Sequence, residues 1–169
     1  MIEMRVMGIA LDTRTGSPIV VLNDTENRKA LPIWIGSAEA SAIIRKIENI
    51  KVKRPMTHDL IINIIETMGC RIDRVEINDV EEETYFANII LTDANDKEIA
   101  IDSRPSDAIA VAIRVDAPIF VGAGVLADGS VSCDAQKDEE EAQEFRSFIQ
   151  KIKPSDFEKL LKDNDDFHQ

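Results

Sequence analysis

IILTDANDKEIAIDSRPSDAIAV, residues 89–111, changes its character twice within 23 residues. An apolar run of strand type leads into DANDK, residues 93–97, a strong hairpin signal because Asp and Asn satisfy their own turn backbone. A second strand follows over 97–102. Pro105 then presets φ for a helix start, and the chain becomes almost unbrokenly apolar to about 115. Strand, turn, strand, helix in direct succession predicts an α+β fold.

A second stretch repeats that grammar. VVLNDTENRKALPIWIGSAEASAI, residues 20–43, aligns with residues 89–111 when one residue is skipped. Leu22 then matches Leu91, Asp24 matches Asp93, Arg28 matches Lys97, Ile33 matches Ile101, Glu39 matches Asp107 and Ala40 matches Ala108. Both copies put a carboxylate in the first turn of the helix. The pattern predicts a duplicated ββα unit, with convergent patterning of a common motif as the alternative.

Outward from these two copies, strands are predicted at 4–12, 18–23, 29–35, 71–78, 84–92, 97–102 and 119–121. Helices are predicted at 37–48 and at 57–68, the latter capped by Thr57 and closed by Gly69, and from after Ser103 to 115. The strands are short and mostly antiparallel, forming two sheets or one strongly curved sheet with helices packed on it. Residues 126–138 read as loop and linker. Residues 139–151 carry apolar side chains at helical spacing. Pro154 breaks that helix, and Ser155 caps a last one to about 161. The predicted organisation is an α+β domain over 1–135 and an acidic helical extension over 136–169.

The net charge of −12 argues against broad affinity for duplex nucleic acid. The charge is uneven. Residues 45–74 hold seven basic and four acidic side chains, which makes that window +3 and the remainder −15. RKIENIKVKR, residues 45–54, is a basic island: a solvated helix end, or a patch facing phosphate. Cys70 and Cys133 stand in no metal-like spacing and suggest a reducing, cytoplasmic setting. No apolar run is long enough for a membrane span, and the first residues read as a strand rather than a signal peptide.

Two polar clusters share one design. RPMTHDL begins at Arg54 and SRPSD at Ser103, each with arginine, proline, a hydroxyl and an aspartate at a helix start. Such a start offers free amides, and the arginine keeps a planar fork for carboxylate or phosphate. His58 is the natural proton carrier at neutral pH. Asp59 and Asp107 join it as candidate catalytic groups. Arg54, Arg104, Ser106 and Thr57 are candidate substrate-binding groups. Glu39, Asp102 and Asp107 are candidate ligands for Mg²⁺ or Mn²⁺. Against this stands a structural use of the same residues: Ser103 or Ser106 as N-caps, Asp107 complementing the dipole, and the arginines paired internally. Trp34 points away from Leu31, Ile33 and Ile35, toward a partner or a covering helix.

LPIWIG with Glu39 and Ala40, then RPMTHDL, then IDSRPSDAIAVAIR followed by PIFV, resemble in order the motifs of the bifunctional nuclease domain family. The likeness covers roughly residues 1–135. It implies a compact α+β domain that tends to self-associate; the alanine- and isoleucine-rich helices, more than one small core needs, predict a homodimer or larger assembly. It also implies hydrolysis of phosphodiester bonds in RNA and DNA, an activity attributed to some plant members, whereas most prokaryotic members are domains of unknown function. The expectation is therefore a nuclease acting on RNA or single-stranded DNA, with Mg²⁺ or Mn²⁺ assisting. The alternative is a non-catalytic module, binding a ligand or a protein, whose Arg/Asp clusters are structural. A regulatory domain whose acidic tail engages a basic partner is a third reading.

Overall fold

The computed structural model describes residues 1–133 and 139–151, together with residues 156 and 159. These form nine strands and five helices and divide into two compact units. Most strand pairings are antiparallel and the class is α+β, as the sequence predicts.

The first unit comprises Met1–Met4 and Asn49–Asp128. It contains the beginning of β1 (Ile2–Asp12), α2 (Thr57–Thr67), β4 (Arg71–Glu81), β5 (Thr84–Thr92), β6 (Glu98–Ser103), α3 (Pro105–Val115) and β7 (Ile119–Val121). The strand order is β6-β5-β4-β7, with the first residues of β1 added through Ile2↔Val121 and Met4↔Ile119. The β4–β7 pair is parallel, because the chain must cross back over α3 to reach it. Helix α3 packs on β4 and β5. Its Ala108, Ile109, Ala110, Val111 and Ala112 are all fully buried, which explains a helix that is apolar all round.

Helix α2 ends in a Schellman motif. Gly69, at φ 78°, donates its N–H to the Glu66 carbonyl (3.0 Å), and Cys70 donates to that of Ile65 (3.1 Å). Its start differs from the expectation. The N-cap is Met56, and Thr57 is the first helical residue and exposed. A hydroxyl cap is unnecessary there because the Asp59 carboxylate reaches back to the Met56 N–H (2.9 Å). Helix α3 likewise has Arg104 at its N-cap and Pro105 at N1, so neither Ser103 nor Ser106 caps it.

The second unit comprises Arg5–Glu48 and the described residues from Gly129 on. Its strand order is β1, β2 (Pro18–Asp24), β3 (Lys29–Trp34) and β8 (Val131–Ser132), with β9 (Ile149–Lys151) against the far end of β1. Helix α1 (Ser37–Ile47) packs on β2, burying Ala40, Ile43 and Ile44. Trp34 is half exposed and stacks on Phe148, at the end of α5 (Glu139–Phe148), with ring centroids 6.1 Å apart. The end of a helix thus meets one side of its ring.

The repeat extends to turn chemistry. Asp24 Oδ1 accepts the N–H groups of Arg28 (2.7 Å) and Lys29 (3.1 Å), and Asp93 Oδ1 accepts those of Asn95 (2.8 Å) and Lys97 (3.0 Å). Asn27 and Asp96 hold the left-handed position in the two turns, at φ 55° and 60°. Glu39 and Asp107 both stand at N3 of the helix that follows. Duplication and convergence on a common motif both account for these shared details.

Two expectations are corrected at the C-terminal side. The predicted loop over 126–138 begins inside α4 (Ala123–Gly129), where Val125 and Leu126 are buried, and continues into β8, where Val131 pairs with Ala30. Both elements are too short to show a period. The helix expected to reach 151 stops at Phe148, because Ile149–Lys151 pairs with the end of β1. The 135/136 domain boundary, the break at Pro154 and the helix capped by Ser155 lie outside the described residues.

Candidate active site

Within the first unit the two polar clusters meet. His58 lies in the first turn of α2 and Asp107 in the first turn of α3. His58 Nε2–H donates to Asp107 Oδ1 at 2.9 Å, and Arg104 Nε donates to Asp107 Oδ2 at 2.6 Å. His58 is buried at 7% exposure, the Asp107 side chain is partly open at 26%, and that of Arg104 is mostly exposed at 64%. The cluster thus grades from a buried imidazole to a solvent-facing guanidinium.

Asp107 is an anion held between two donors. Burial alone raises its carboxyl, but the hydrogen bonds from Arg104 and His58 outweigh that and hold it below its ordinary value of 3.8. Ionised, it can only accept, so the proton of the shared bond belongs to His58 Nε2. The neutral ring then carries its lone pair on Nδ1. The linkage has a definite sign. A carboxyl depressed on folding stabilises the fold above its unfolded value and loses that contribution as pH falls through the folded one. The urea midpoint of the wild type is therefore expected to drop more steeply below about pH 4 than that of Asp107→Asn. Parallel curves would remove the ion pair from the account.

Asp59 pairs elsewhere. Its Oδ1 accepts from Arg114 Nε at 3.0 Å while its Oδ2 holds the Met56 N–H. Arg114 is a site residue that the sequence reading passes over. Its signal is spacing, since it follows Asp107 by two helical turns and so shares its face. Ser106 is buried at N2 of α3. Arg54 is exposed on the segment before α2, without a side-chain partner among the described residues, and Lys51 and Lys53 beside it are exposed as well.

The three candidate metal ligands are placed differently. Asp102 is exposed on β6 and lines an open concavity of about 310 Å³ with Asn78, Asp79, Glu81, Phe86 and Asn88. Glu39 belongs to the second unit, where its carboxylate folds back over Gly36, the N-cap of α1. Both oxygens of Asp107 are already engaged. A Mg²⁺ or Mn²⁺ ion needs several open oxygen donors. Among the described residues no group of three or more His, Cys, Asp or Glu side chains converges so as to hold a metal ion.

An α+β domain with an imidazole–carboxylate–guanidinium chain across two helix starts has the parts for proton transfer beside an anion. The bifunctional nuclease domain matches residues 20–134, and the chain belongs to that family. It is 36% identical over 163 residues to an uncharacterized protein of Mycobacterium tuberculosis, covering 92% of this chain and 97% of that protein. Bifunctional nuclease 2 of Oryza sativa subsp. japonica is 33% identical over 107 residues, which is 62% of this chain and 33% of the rice protein. Bifunctional nuclease 2 of Arabidopsis thaliana is 29% identical over 107 residues, 62% of this chain and 32% of its own length. This chain thus matches about a third of each plant nuclease. Among the described residues no helix is long and apolar enough to cross a membrane.

Proposed function

We propose that the chain hydrolyses phosphodiester bonds in RNA and single-stranded DNA at the cluster of His58, Asp107 and Arg104. The observation that carries this reading is the 2.9 Å bond between His58 and an ionised Asp107. That bond fixes the ring tautomer and leaves Nδ1 to take a proton from the attacking oxygen, a water or a ribose 2′-hydroxyl. The Arg104 side chain is mostly exposed beside Asp107, and its planar guanidinium is of the type that binds phosphate. Membership of the nuclease family and the named plant nucleases support the same class of substrate. A net charge of −12 argues against broad affinity for a duplex, so a flexible single strand is the substrate it suits.

The test is cleavage of labelled single-stranded RNA and DNA by the purified full chain, with Mg²⁺, with Mn²⁺ and with EDTA. Turnover of single strands ahead of duplex is expected. Loss in EDTA would mean that the ion arrives with the substrate phosphates, and absence of turnover in all three conditions would overturn the reading.

The segment IKVKR, residues 50–54, would guide the strand toward α2. Its Ile50 and Val52 are exposed beside the exposed Lys51, Lys53 and Arg54. Reversing Lys51, Lys53 and Arg54 together to Glu is expected to raise KM and to flatten the log–log salt dependence of binding by about 2, as loss of three single-strand phosphate contacts requires. An unchanged salt slope would place the substrate elsewhere.

A second reading is favoured by one observation: both oxygens of Asp107 and both of Asp59 are satisfied internally. It makes the clusters structural supports of a non-catalytic binding module. In that case Asp107→Asn and Arg104→Ala would lose folding and no turnover would exist to lose.

A further inference from the structure

Two consecutive residues of α2 engage two residues of α3. His58 meets Asp107, and Asp59 meets Arg114, seven positions further along α3. The Arg114 side chain is buried at 8% exposure, and its Nη1 donates to the Ala110 carbonyl of its own helix at 2.7 Å. The guanidinium is thus fixed to the α3 backbone before it reaches α2. Asp59 passes the constraint on, because its second oxygen holds the Met56 N–H at the N-cap.

Full burial along α2 is sparse. Of the α2 residues, all of them described, only His58 and Ile62 are buried. One hydrogen bond from His58 would leave α2 free to turn about it. A second contact from the neighbouring residue removes that freedom, and a displacement of about 1 Å in a reacting group can cost about 100-fold in rate. We infer that Asp59 and Arg114 are positioning residues that hold the first turn of α2 so that the His58 ring meets Asp107; the inference rests on the proposed role of His58. Asp59 therefore acts through His58 and does not itself transfer protons.

The test reads the His58 ring nitrogens by ¹⁵N NMR at neutral pH. The chain has two histidines, so His58→Ala assigns the signals. The wild type should show one tautomer, with Nε2 carrying the proton. The double variant Asp59→Asn/Arg114→Gln removes both charges together and so leaves no uncompensated buried ion. Its His58 signals are expected to move toward the average of two tautomers, with kcat lowered about 100-fold and KM within about twofold of wild type. Arg114→Lys keeps the charge without the planar fork and is read in the same way should the double variant not fold. A folded variant of either kind that retains the single-tautomer signature overturns the inference. If the wild type turns over no nucleic acid, the nuclease reading fails, and the ring signals still decide whether the clamp exists.

Discussion

His58→Ala is expected to lower the rate of RNA cleavage by about 10²–10⁴-fold, the range for removing a positioned general acid or base. The fold should survive the change. Asp107 keeps its Arg104 partner at 2.6 Å, so no carboxylate is left unpaired. Helix α2 keeps the Asp59–Arg114 pair at 3.0 Å. Rates measured at saturating substrate, alongside thermal melts of both proteins, check the two halves of this expectation. A rate within a few-fold of wild type at equal stability would exclude His58 as the proton carrier.

Ile109→Ala is expected to cost about 2–5 kcal/mol of stability. Ile109 is fully buried on α3, and its neighbours Ala108, Ala110 and Ala112 are fully buried as well. A close-packed interior relaxes only partly around a lost isoleucine, so a cavity remains. The same helix carries Asp107 at its start and Arg114 near its end, so its loosening also disturbs the site. Urea unfolding gives the value directly. A loss below about 1 kcal/mol would mean that the structure relaxes around the site more than a packed core permits.

What could be read ahead of the structure follows the range of the interactions involved. The turns at Asp24 and Asp93 and the helix end at Gly69 are local, and their residues carry the chemistry with them. Both polar clusters were likewise visible as helix starts. Their meeting was not, because His58 and Asp107 are 49 residues apart and no spacing encodes a tertiary contact. Arg114 was hidden at the end of an apolar helix, although its two-turn distance from Asp107 placed it on the same face. Asp102 shows the same limit. It stands next to the α3 cluster in sequence, and on its predicted strand it pairs with Asn88 and lines the concavity beside Phe86. Strand β9 reads as helix because its apolar spacing continues that of α5, and only pairing with β1 decides otherwise.

The most direct measurement of the central claim is the cleavage of single-stranded RNA by wild type and Asp107→Asn, purified side by side and matched for melting temperature. Asparagine keeps the shape of Asp107 but loses the anion that fixes the His58 tautomer and attracts Arg104. The predicted result is turnover by the wild type and a loss of at least about 100-fold in the variant. Equal turnover by two equally stable preparations would contradict it.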